Sequence, residues 1–388
     1  MSISNFSADN YCLILWDHGS GWKLSNNDGR KDICEDITNY DVLELYELKN
    51  ALSEITSDSS FKIELLGFDA CLMGEIEVAY ELKDFCNYIT ASENTEPADG
   101  WNYEESLADL VENYNNTDGE KLGEYFVTHY EGYQITLSTI DVSNLDSLTN
   151  AISNLGSALS SSEYIDKILN VFNNVEKYME SCDIYHFAQL ISESIFDYAI
   201  QEYAEDVKNE IEYTVTSEKH DTYNVNSHGL SIYLPDWTYD HEYDILDFSI
   251  SGLWDEFLIY MFEGASSSNP PTMPIIDGIS EGEVGKTHQY TFLSSDPDGD
   301  DIYYVIDWND GSQHETIGPK ATGIETKAYH VWHAEGGYVI RAKAVDSNGA
   351  ASSWGTFNIM MPKKKDSSID GLKLPFFNNI FKFFSFGV

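Results

Sequence analysis

Two short apolar runs near the start of the chain predict buried strands. They occupy residues 12–16 and 61–68, the second with one charge pair, Lys62 and Glu64, and each is too short for a typical helix. Between them, residues 41–56 carry leucines at helical spacing, which predicts an amphipathic helix. A strand, a helix and a strand in this order indicate parallel strands joined by a right-handed crossover.

Predicted strands and helices continue to alternate up to about residue 263. This alternation predicts a single α/β domain over residues 1–263, with polar residues 23–40 as a surface loop. The further predicted elements are strands at 88–91, 134–142 and 228–235 and helices within 102–130, 144–212 and 252–262.

The composition and the apolar–polar pattern of the chain change after residue 263. Residues 264–273 are rich in Ser and Pro and predict a linker. Residues 274–362 alternate apolar and polar positions between frequent turn signals, which predicts a β-sandwich. The tail, 363–388, begins with three lysines and ends in an aromatic run, which could pack on the sandwich, lie at a membrane interface or be disordered.

Charge narrows the possible partners. The 388 residues contain 67 acidic and 21 basic side chains, a net charge of −46, which argues against nucleic-acid binding because phosphate contacts need cations. The same excess suits basic substrates, calcium or a high-salt setting. We expect no transmembrane span, since no apolar run reaches the roughly 20 residues required.

Cys71 is a candidate nucleophile. It follows the second apolar run, and a helical pattern begins at once after it, so we expect the thiol at a strand end and a helix N-terminus. A helix N-terminus favours the thiolate. The alternative is that Cys71 is a small buried apolar residue, as lone cysteines often are.

His18 follows the first apolar run in the same way. Parallel neighbouring strands would bring His18 beside Cys71, where an imidazole can activate a thiol. Gly19 permits close approach of the backbone, so its N–H and that of Cys71 could form an oxyanion hole. Taken alone, His18 could equally be a histidine at the end of a strand.

Four separated motifs carry a family resemblance. LILWDHGSGW, LLGFDACLMGEIEVAYEL, ASENTEPADGW and HGLSIYLP occur in this order, and together they resemble the clostripain-like cysteine peptidases (family C11, clan CD) over about residues 8–263. The resemblance implies a caspase-like α/β/α sandwich. DPDGDDIYYVIDWNDGS and the strands after it resemble a PKD-like domain of the immunoglobulin-like sort.

The resemblance implies a cysteine endopeptidase that cleaves after Arg, or after Arg and Lys, through a Cys71–His18 dyad. A basic side chain in a pocket needs a carboxylate partner, and Asp69 and Asp99 are the candidates. Calcium is the implied cofactor, structural in role, with no organic cofactor. Protein or peptide substrates with basic residues are the implied partners.

The resemblance also implies self-cleavage at a basic residue between His18 and Cys71. We expect the cut after Lys31 or Arg30, with Lys23 as a weaker candidate, although an ordinary solvated loop is an equal alternative.

Calcium could bind the acidic turn of the second domain. Asp296, Asp298 and Asp300 offer oxygen ligands, although a turn needs no metal. Two weaker candidate metal pairs are Cys182 with His186 and His330 with His333.

The start of the chain departs from the family pattern. Such peptidases carry α/β structure before the His-Gly strand, so we expect a fragment, a misassigned start or a lost sheet edge. Each would leave one side of the first strand with unpaired backbone groups.

Two other function classes remain open on the sequence. The chain could be an inactive surface or adhesion protein whose PKD-like domain mediates binding, or a regulator of another peptidase. The family implies an extracellular or cell-surface location, with cell-surface contact through the PKD-like domain, although the first ten residues do not resemble a signal peptide.

Overall fold

The structure, a computed structural model, describes residues 8–23, 33–36, 41–56, 61–160, 164–263, 270–310, 315–346, 351–362 and 381–386. They fall into two compact units. The first is formed by residues 1–262 together with 374–388, and the second by residues 263–373.

The first unit alternates strands and helices. Its strands up to residue 233 are β1 (Asn10–Trp16), β2 (Ile33–Asp36), β3 (Asp41–Leu43), β4 (Ile63–Asp69), β5 (Cys86–Ala91), β6 (Thr136–Asp141), β7 (Lys177–Tyr178), β8 (Ser181–Asp183), β9 (Val215–His220) and β10 (Ser231–Tyr233). Its α-helices are α1 (Leu45–Ile55), α2 (Ile76–Leu82), α3 (Tyr103–Asn113), α4 (Gly119–His129), α5 (Leu145–Ser160), α6 (Ile165–Phe172), α7 (Ile184–Ser194), α8 (Tyr198–Thr214), α9 (Asp247–Ser251) and α10 (Trp254–Glu263).

The main sheet places β1, β4, β5, β6 and β9 side by side in that order. The neighbours β1, β4 and β5 are parallel, as the strand–helix–strand pattern predicted, whereas β6 and β9 run antiparallel. The pattern missed β9, because none of its residues is buried and its sequence, VTSEKH, is polar. The predicted strand at 228–235 exists as β10, but it pairs with β8 in a separate three-stranded sheet.

Side chains of β1 alternate between two cores. Leu13 and Leu15 pack into the core that includes α1, α2, α5, α7 and α8. Cys12 and Ile14 face the other core, which is built mainly from α3 and α4. Helices therefore cover both faces of the sheet, and the predicted caspase-like α/β/α sandwich is confirmed.

The expected surface loop at 23–40 contains regular structure in its described part. β2 and β3 pair as antiparallel strands, and Ile33 and Cys34 are buried. This segment is bonded to the candidate histidine, because the Cys34 N–H donates to the His18 carbonyl at 3.0 Å. The prediction of a purely solvated loop was wrong for residues 33–36, since two apolar side chains anchor them.

The second unit consists of two antiparallel sheets, one with strand order β11-β12-β15 and the other β14-β13-β16-β17. Its strands are β11 (Ile275–Gly278), β12 (His288–Leu293), β13 (Ile302–Asp307), β14 (Glu315–Lys320), β15 (Thr326–His330), β16 (Gly336–Asp346) and β17 (Gly355–Met361). Trp308, Trp332, Tyr290 and Tyr304 fill the space between the sheets. The predicted immunoglobulin-like β-sandwich is confirmed.

The final strand, β18 (Phe381–Phe386), belongs to the first unit. It pairs antiparallel with β1, from Asn10 opposite Phe386 to Leu15 opposite Phe381. None of the three expectations for the tail included this arrangement. The outer edge of β1, expected to be unpaired, thus has a backbone partner.

Within the described ranges, no helix is both long enough and apolar enough to cross a membrane.

Candidate active site

The register of β1 and β4 brings the candidate dyad together. Trp16 is the partner of Asp69 at the last pair of this parallel ladder. His18 and Cys71 each lie two residues beyond that pair, at the carboxyl edge of the sheet. Parallel strands end at the same edge, so a histidine and a cysteine from distant parts of the sequence follow neighbouring strand ends.

Gly19 lies directly against the backbone of Cys71. A Cβ atom at position 19 would be 2.3 Å from the Cys71 carbonyl oxygen and 3.1 Å from the Cys71 nitrogen. Only glycine permits this approach. Neither the Gly19 N–H nor the Cys71 N–H donates to an acceptor within the described residues.

Cys71 occupies a turn rather than the start of a helix. The expected helix begins only at Ile76, so the prediction of a thiol at a helix N-terminus was wrong. Leu72 adopts a φ of +63°, which is unusual for a bulky side chain. Two hydrogen bonds hold this conformation: Leu72 N–H donates to the Asn94 carbonyl at 3.0 Å, and Gly74 N–H donates to the Ser92 carbonyl at 2.7 Å.

The Cys71 thiol is half-buried. Its Sγ accepts a hydrogen bond of 3.2 Å from the Glu96 N–H. A donor of this kind stabilises negative charge on sulfur, which is the state a nucleophilic thiol needs.

A buried acid fixes the segment that follows His18. Glu75 accepts the Trp22 N–H at 2.8 Å through Oε2 and the Ser181 hydroxyl through Oε1. Gly21 has a φ of +76°, and a Cβ there would lie 2.0 Å from Glu75 Oε2. Burial, followed by the charge of Glu77, raises the pKa of Glu75 to about 8. Sequence reasoning missed Glu75, although an acid among the apolar residues of the cysteine motif was a usable signal.

Asp69, one of the two predicted pocket acids, lies beneath the cysteine turn and is only 3% exposed. Its Oδ2 accepts the Trp101 N–H at 3.2 Å and the Tyr103 hydroxyl at 2.7 Å. Gly100, with a φ of +67°, packs so closely that a Cβ would lie 2.8 Å from the same oxygen. Asp99 is exposed, and no described residue forms a hydrogen bond or ion pair with its carboxylate.

A second acid with a buried carboxyl group, Glu96, lies beside Asp69 and was missed by sequence reasoning. Its Oε1 accepts the Trp101 indole N–H at 3.1 Å, whereas Oε2 is buried and receives no donor from the described residues. Burial, followed by the charge and proximity of Asp69, raises the pKa of Glu96 well above its usual range. The signal was available, because Glu96 belongs to the ASENTEPADGW motif.

The predicted self-cleavage residues Lys31 and Arg30 lie outside the described residues. The weaker candidate, Lys23, is described and forms ion pairs with Glu180 and, at 3.4 Å, with Asp240. Its ammonium group is therefore engaged within the fold.

Among the described residues, one acidic group has a geometry suited to a metal ion. Asp296, Asp298 and Asp300 each offer an oxygen, and these oxygens lie within 4.8 Å of one another. Asp296 is buried; its Oδ1 accepts the N–H groups of Asp298 and Asp300, and its Oδ2 has no hydrogen-bond donor among the described residues. A buried carboxylate oxygen without a donor fits a calcium ligand.

The two weaker metal pairs have other contacts. His186 Nδ1 accepts the Glu176 N–H at 2.9 Å, and Cys182 is fully buried in the apolar core. His330 stacks on Trp308 and pairs with Asp310 at 2.6 Å. These side chains are accounted for by packing and hydrogen bonding.

Fold and geometry thus define an α/β protein in which a cysteine, a histidine and two backbone N–H groups without an acceptor among the described residues follow neighbouring strands at one sheet edge. The sequence model of the clostripain family matches residues 1–261, and the chain belongs to this family of C11 cysteine peptidases. The resemblance carried by the four motifs is confirmed.

Individual relatives are more distant. Clostripain from Hathewaya histolytica is 27% identical over 291 residues, which cover 60% of this chain and 54% of the relative. The chain therefore spans about half the length of this curated relative. A secreted C11 cysteine protease from Bacteroides thetaiotaomicron, "iotapain", is 18% identical with a TM-score of 0.50, covering 64% of this chain and 74% of that one. This likeness shows the shared fold.

The chain is also similar to the PKD domain of an M14-like peptidase from a Thermoplasmatales archaeon. The two are 46% identical, and the match covers 25% of this chain and all of that domain, with a TM-score of 0.24.

Proposed function

We propose that this protein is a cysteine endopeptidase with Cys71 as nucleophile and His18 as general base. The observation that carries the proposal is the β1–β4 register, which ends both strands at one edge with these two side chains beyond the same pair. Imidazole and thiol in this relation form the usual arrangement of an activated cysteine.

The reaction follows from these groups. His18 takes the proton of Cys71, and the thiolate attacks the scissile carbonyl. The N–H groups of Gly19 and Cys71 donate to the oxyanion, a contribution of about 3 kcal/mol per donor. His18 then protonates the leaving amine, and a water molecule hydrolyses the thioester.

Loss of either side chain tests the dyad. On a fluorogenic peptide with arginine before the leaving group, Cys71→Ala and His18→Ala should each lower kcat by at least about 10³-fold. Cys86→Ala, which removes a thiol buried elsewhere in the core, serves as the matched control and should retain activity. Turnover that survives in both dyad variants would contradict the assignment.

We propose that the substrates are proteins or peptides cleaved after a basic residue, Arg or also Lys. The supporting observations are the net charge of −46 and a buried carboxylate, Asp69, two residues before the nucleophile. Hydrolysis of arginine and lysine peptides, compared with otherwise identical norleucine peptides, tests this specificity. Equal rates on all three would contradict it.

We propose that the enzyme processes itself after Lys31 or Arg30. These residues lie in the sequence between the dyad members, and Lys23 is engaged in ion pairs. Mass spectrometry of the purified protein should find a new N-terminus at residue 31 or 32, absent from Cys71→Ala. An active enzyme that remains a single uncut chain would contradict the proposal.

We propose that calcium binds the group formed by Asp296, Asp298 and Asp300 and stabilises the second unit. Calcium should raise the Tm of the full chain, and this gain should disappear in the Asp298→Asn/Asp300→Asn double variant. Asp277→Asn, an exposed acid of the same unit, is the control and should keep the gain. A calcium-dependent gain of equal size in the double variant would place the ion elsewhere.

We propose an extracellular or cell-surface location, with the PKD-like unit available for cell-surface contact. The supporting observations are the acidic composition and the sandwich fold of the second unit. Fractionation of cells that produce the protein, with immunodetection of each fraction, tests the location.

A further inference from the structure

Two exposed tyrosines lie side by side near the candidate active site. Tyr133 precedes β6 and Tyr223 follows β9, and the centroids of their rings are 4.6 Å apart. Tyr133 is 63% exposed and Tyr223 is 57% exposed, and Val225, in the same loop as Tyr223, is 60% exposed. Single exposed apolar residues need no explanation, whereas a cluster of them marks a candidate binding surface.

Packing contacts connect this tyrosine pair, Tyr133 and Tyr223, to the candidate nucleophile. The Glu96 N–H donates to Cys71 Sγ at 3.2 Å, and Pro97 is the next residue of the chain. Gly132 lies so close to Pro97 that a Cβ at position 132 would be 2.5 Å from the proline Cγ. The tyrosine pair therefore borders the segment that contacts the thiol.

One carboxylate anchors both tyrosines. Asp221 Oδ2 accepts the Gln134 N–H at 2.7 Å, and Asp221 Oδ1 accepts the Tyr223 N–H at 2.9 Å. Gln134 directly follows Tyr133, so the acid ties the two segments together. The rings are thus presented by an ordered backbone, which limits the conformational freedom lost when a ligand covers them.

The same segment is bonded to the cysteine turn. Leu72, directly after the candidate nucleophile, has a φ of +63°, and Gln134 has a φ of +56°. Asn94 contacts both, because its carbonyl accepts the Leu72 N–H at 3.0 Å and its Nδ2 donates to the Gln134 carbonyl at 3.4 Å. Residues in sparsely populated backbone conformations cluster at active sites and ligand clamps, so this connection favours a functional role for the tyrosine pair.

The order of the strands decides which part of a substrate faces the tyrosine pair. In the proposed reaction His18 protonates the leaving amine, so the residues after the cleaved bond lie on the β1 side of Cys71. β5, β6 and β9 lie on the other side of β4, and the residues before the cleaved bond extend toward them. Neighbouring strands are about 4.8 Å apart, so an extended peptide needs about three residues to cross from β4 to β6.

We infer that Tyr133 and Tyr223 form an apolar subsite, which binds an aromatic or large aliphatic side chain of the substrate two to four residues before the cleaved bond. This inference rests on the proposed peptidase function. Tyrosine rings offer a large apolar contact area, and an aromatic partner gains further from edge-to-face or offset packing. An alanine side chain at the same position would leave most of this surface exposed to water.

A peptide series tests the subsite. Fluorogenic acetyl tetrapeptides ending in arginine carry alanine at the three positions before it, or a single phenylalanine, leucine or lysine at one of these positions. On the wild type, phenylalanine or leucine at one position should raise kcat/KM at least about fivefold over the all-alanine peptide, and lysine should give no such gain. A larger gain for lysine, or a gain below about twofold at every position, would overturn the inference.

Removal of the rings should abolish the preference. In Tyr133→Ala/Tyr223→Ala, the ratio of kcat/KM between the preferred and the all-alanine peptide should fall below about twofold, whereas Tyr133→Phe/Tyr223→Phe should keep it. The ratio isolates the subsite, because a change in the dyad affects both peptides alike. Tyr213→Ala, which removes an exposed tyrosine of α8, is the matched control and should keep the ratio. An unchanged ratio in the double alanine variant would overturn the inference.

Binding without turnover separates this inference from the proposed function. The non-fluorogenic amides of the same peptides are titrated by calorimetry into the full chain carrying Cys71→Ala, with and without the double alanine change. Suppose that the wild type cleaves nothing, but the phenylalanine or leucine amide binds at least about fivefold more tightly than the all-alanine amide, and only with both tyrosines present. Peptidase function then fails and the subsite stands.

The opposite outcome is equally distinct. If the wild type cleaves arginine peptides without a preference at any of the three positions, the subsite fails and peptidase function stands. If the wild type cleaves nothing and all the amides bind equally or not at all, both fail. Because both rings are exposed, the Tm of each tyrosine variant should stay near that of the wild type.

Discussion

Two buried carboxyl pairs in the first unit differ in what surrounds them. Glu93 and Asp183 together accept from two side chains and several backbone N–H groups, including both the N–H and Nδ1 of His228. Asp69 and Glu96 accept from three donors and lie beside Cys71. In both pairs, burial raises the pKa of the glutamate well above its usual range.

The difference shows how the same chemistry can serve structure or binding. Every oxygen of Asp183 has a backbone donor, so this acid holds the start of α7 and the segment before β10 together. Asp69 uses only Oδ2 for its internal donors. An aspartate with a backbone donor on each oxygen stabilises the fold, whereas one with a spare acceptor is available to a ligand.

Replacing each aspartate by asparagine should separate the two roles most clearly. Asp183→Asn must turn an NH₂ group toward the N–H of His186 or His228, and we expect a loss of about 1–3 kcal/mol in the free energy of unfolding. Asp69→Asn can keep its oxygen toward Trp101 and donate its NH₂ to Glu96, so we expect a loss below about 1 kcal/mol. Urea denaturation of both variants measures this contrast.

Activity should follow the opposite order. Asp69→Asn should lose at least about tenfold in kcat/KM on arginine peptides, and Asp183→Asn should retain most of its activity at temperatures where it stays folded. Equal losses of stability in the two variants would break the comparison between the pairs.

Glu75 extends the comparison, since it resembles Asp183 in having a donor on each oxygen. Glu75→Ala removes the acceptor for Trp22 N–H and Ser181, so we expect about 1–3 kcal/mol less stability and a lower kcat because His18 is no longer held in place. Denaturation and peptide hydrolysis measure the two effects. An unchanged free energy of unfolding in this variant would show that the hydrogen bonds of Glu75 contribute little to stability.

The pH dependence of stability adds a further contrast between native and unfolded chains. Burial raises the pKa of Glu75 to about 8 and that of Glu77 to about 7, above the unfolded value of about 4.3. The native state therefore holds protons that the unfolded state has lost, and the stability from these groups, full below about pH 4.3, declines as pH rises toward 8. The slope should be up to about 1.4 kcal/mol per pH unit for each proton, and Glu75→Gln should flatten it.

Denaturation of the wild type and Glu75→Gln at several pH values between about 5 and 8 tests this prediction. Identical slopes for the two proteins would contradict it.

The smallest effect should come from the ion pair of Lys23. This side chain is partly exposed, so Lys23→Met should cost only about 0.2–1 kcal/mol, and less at high salt. Self-cleavage at residues 30 or 31 should persist in this variant, as followed by mass spectrometry. Loss of processing in Lys23→Met would instead favour Lys23 as the cut site.

The strands that carry the candidate dyad follow from the amino-acid sequence alone. β1 and β4 are apolar runs that end in polar residues, and a crossover of suitable length makes them parallel, so the apolar pattern is enough to predict that His18 and Cys71 follow neighbouring strand ends. Local patterning suffices here, because buried parallel strands must be apolar throughout.

The surroundings of the acids near the candidate dyad depend on tertiary contacts. Glu75 meets Trp22 across 53 residues of sequence and Ser181 across 106, and the chain contains 67 acids with similar local surroundings. The helix after Cys71 begins late, at Ile76, because the intervening turn bonds to the chain after β5. The burial of the Glu96 carboxyl group and the pairing of β18 with β1 likewise depend on contacts between distant segments, which periodicity along the chain does not encode.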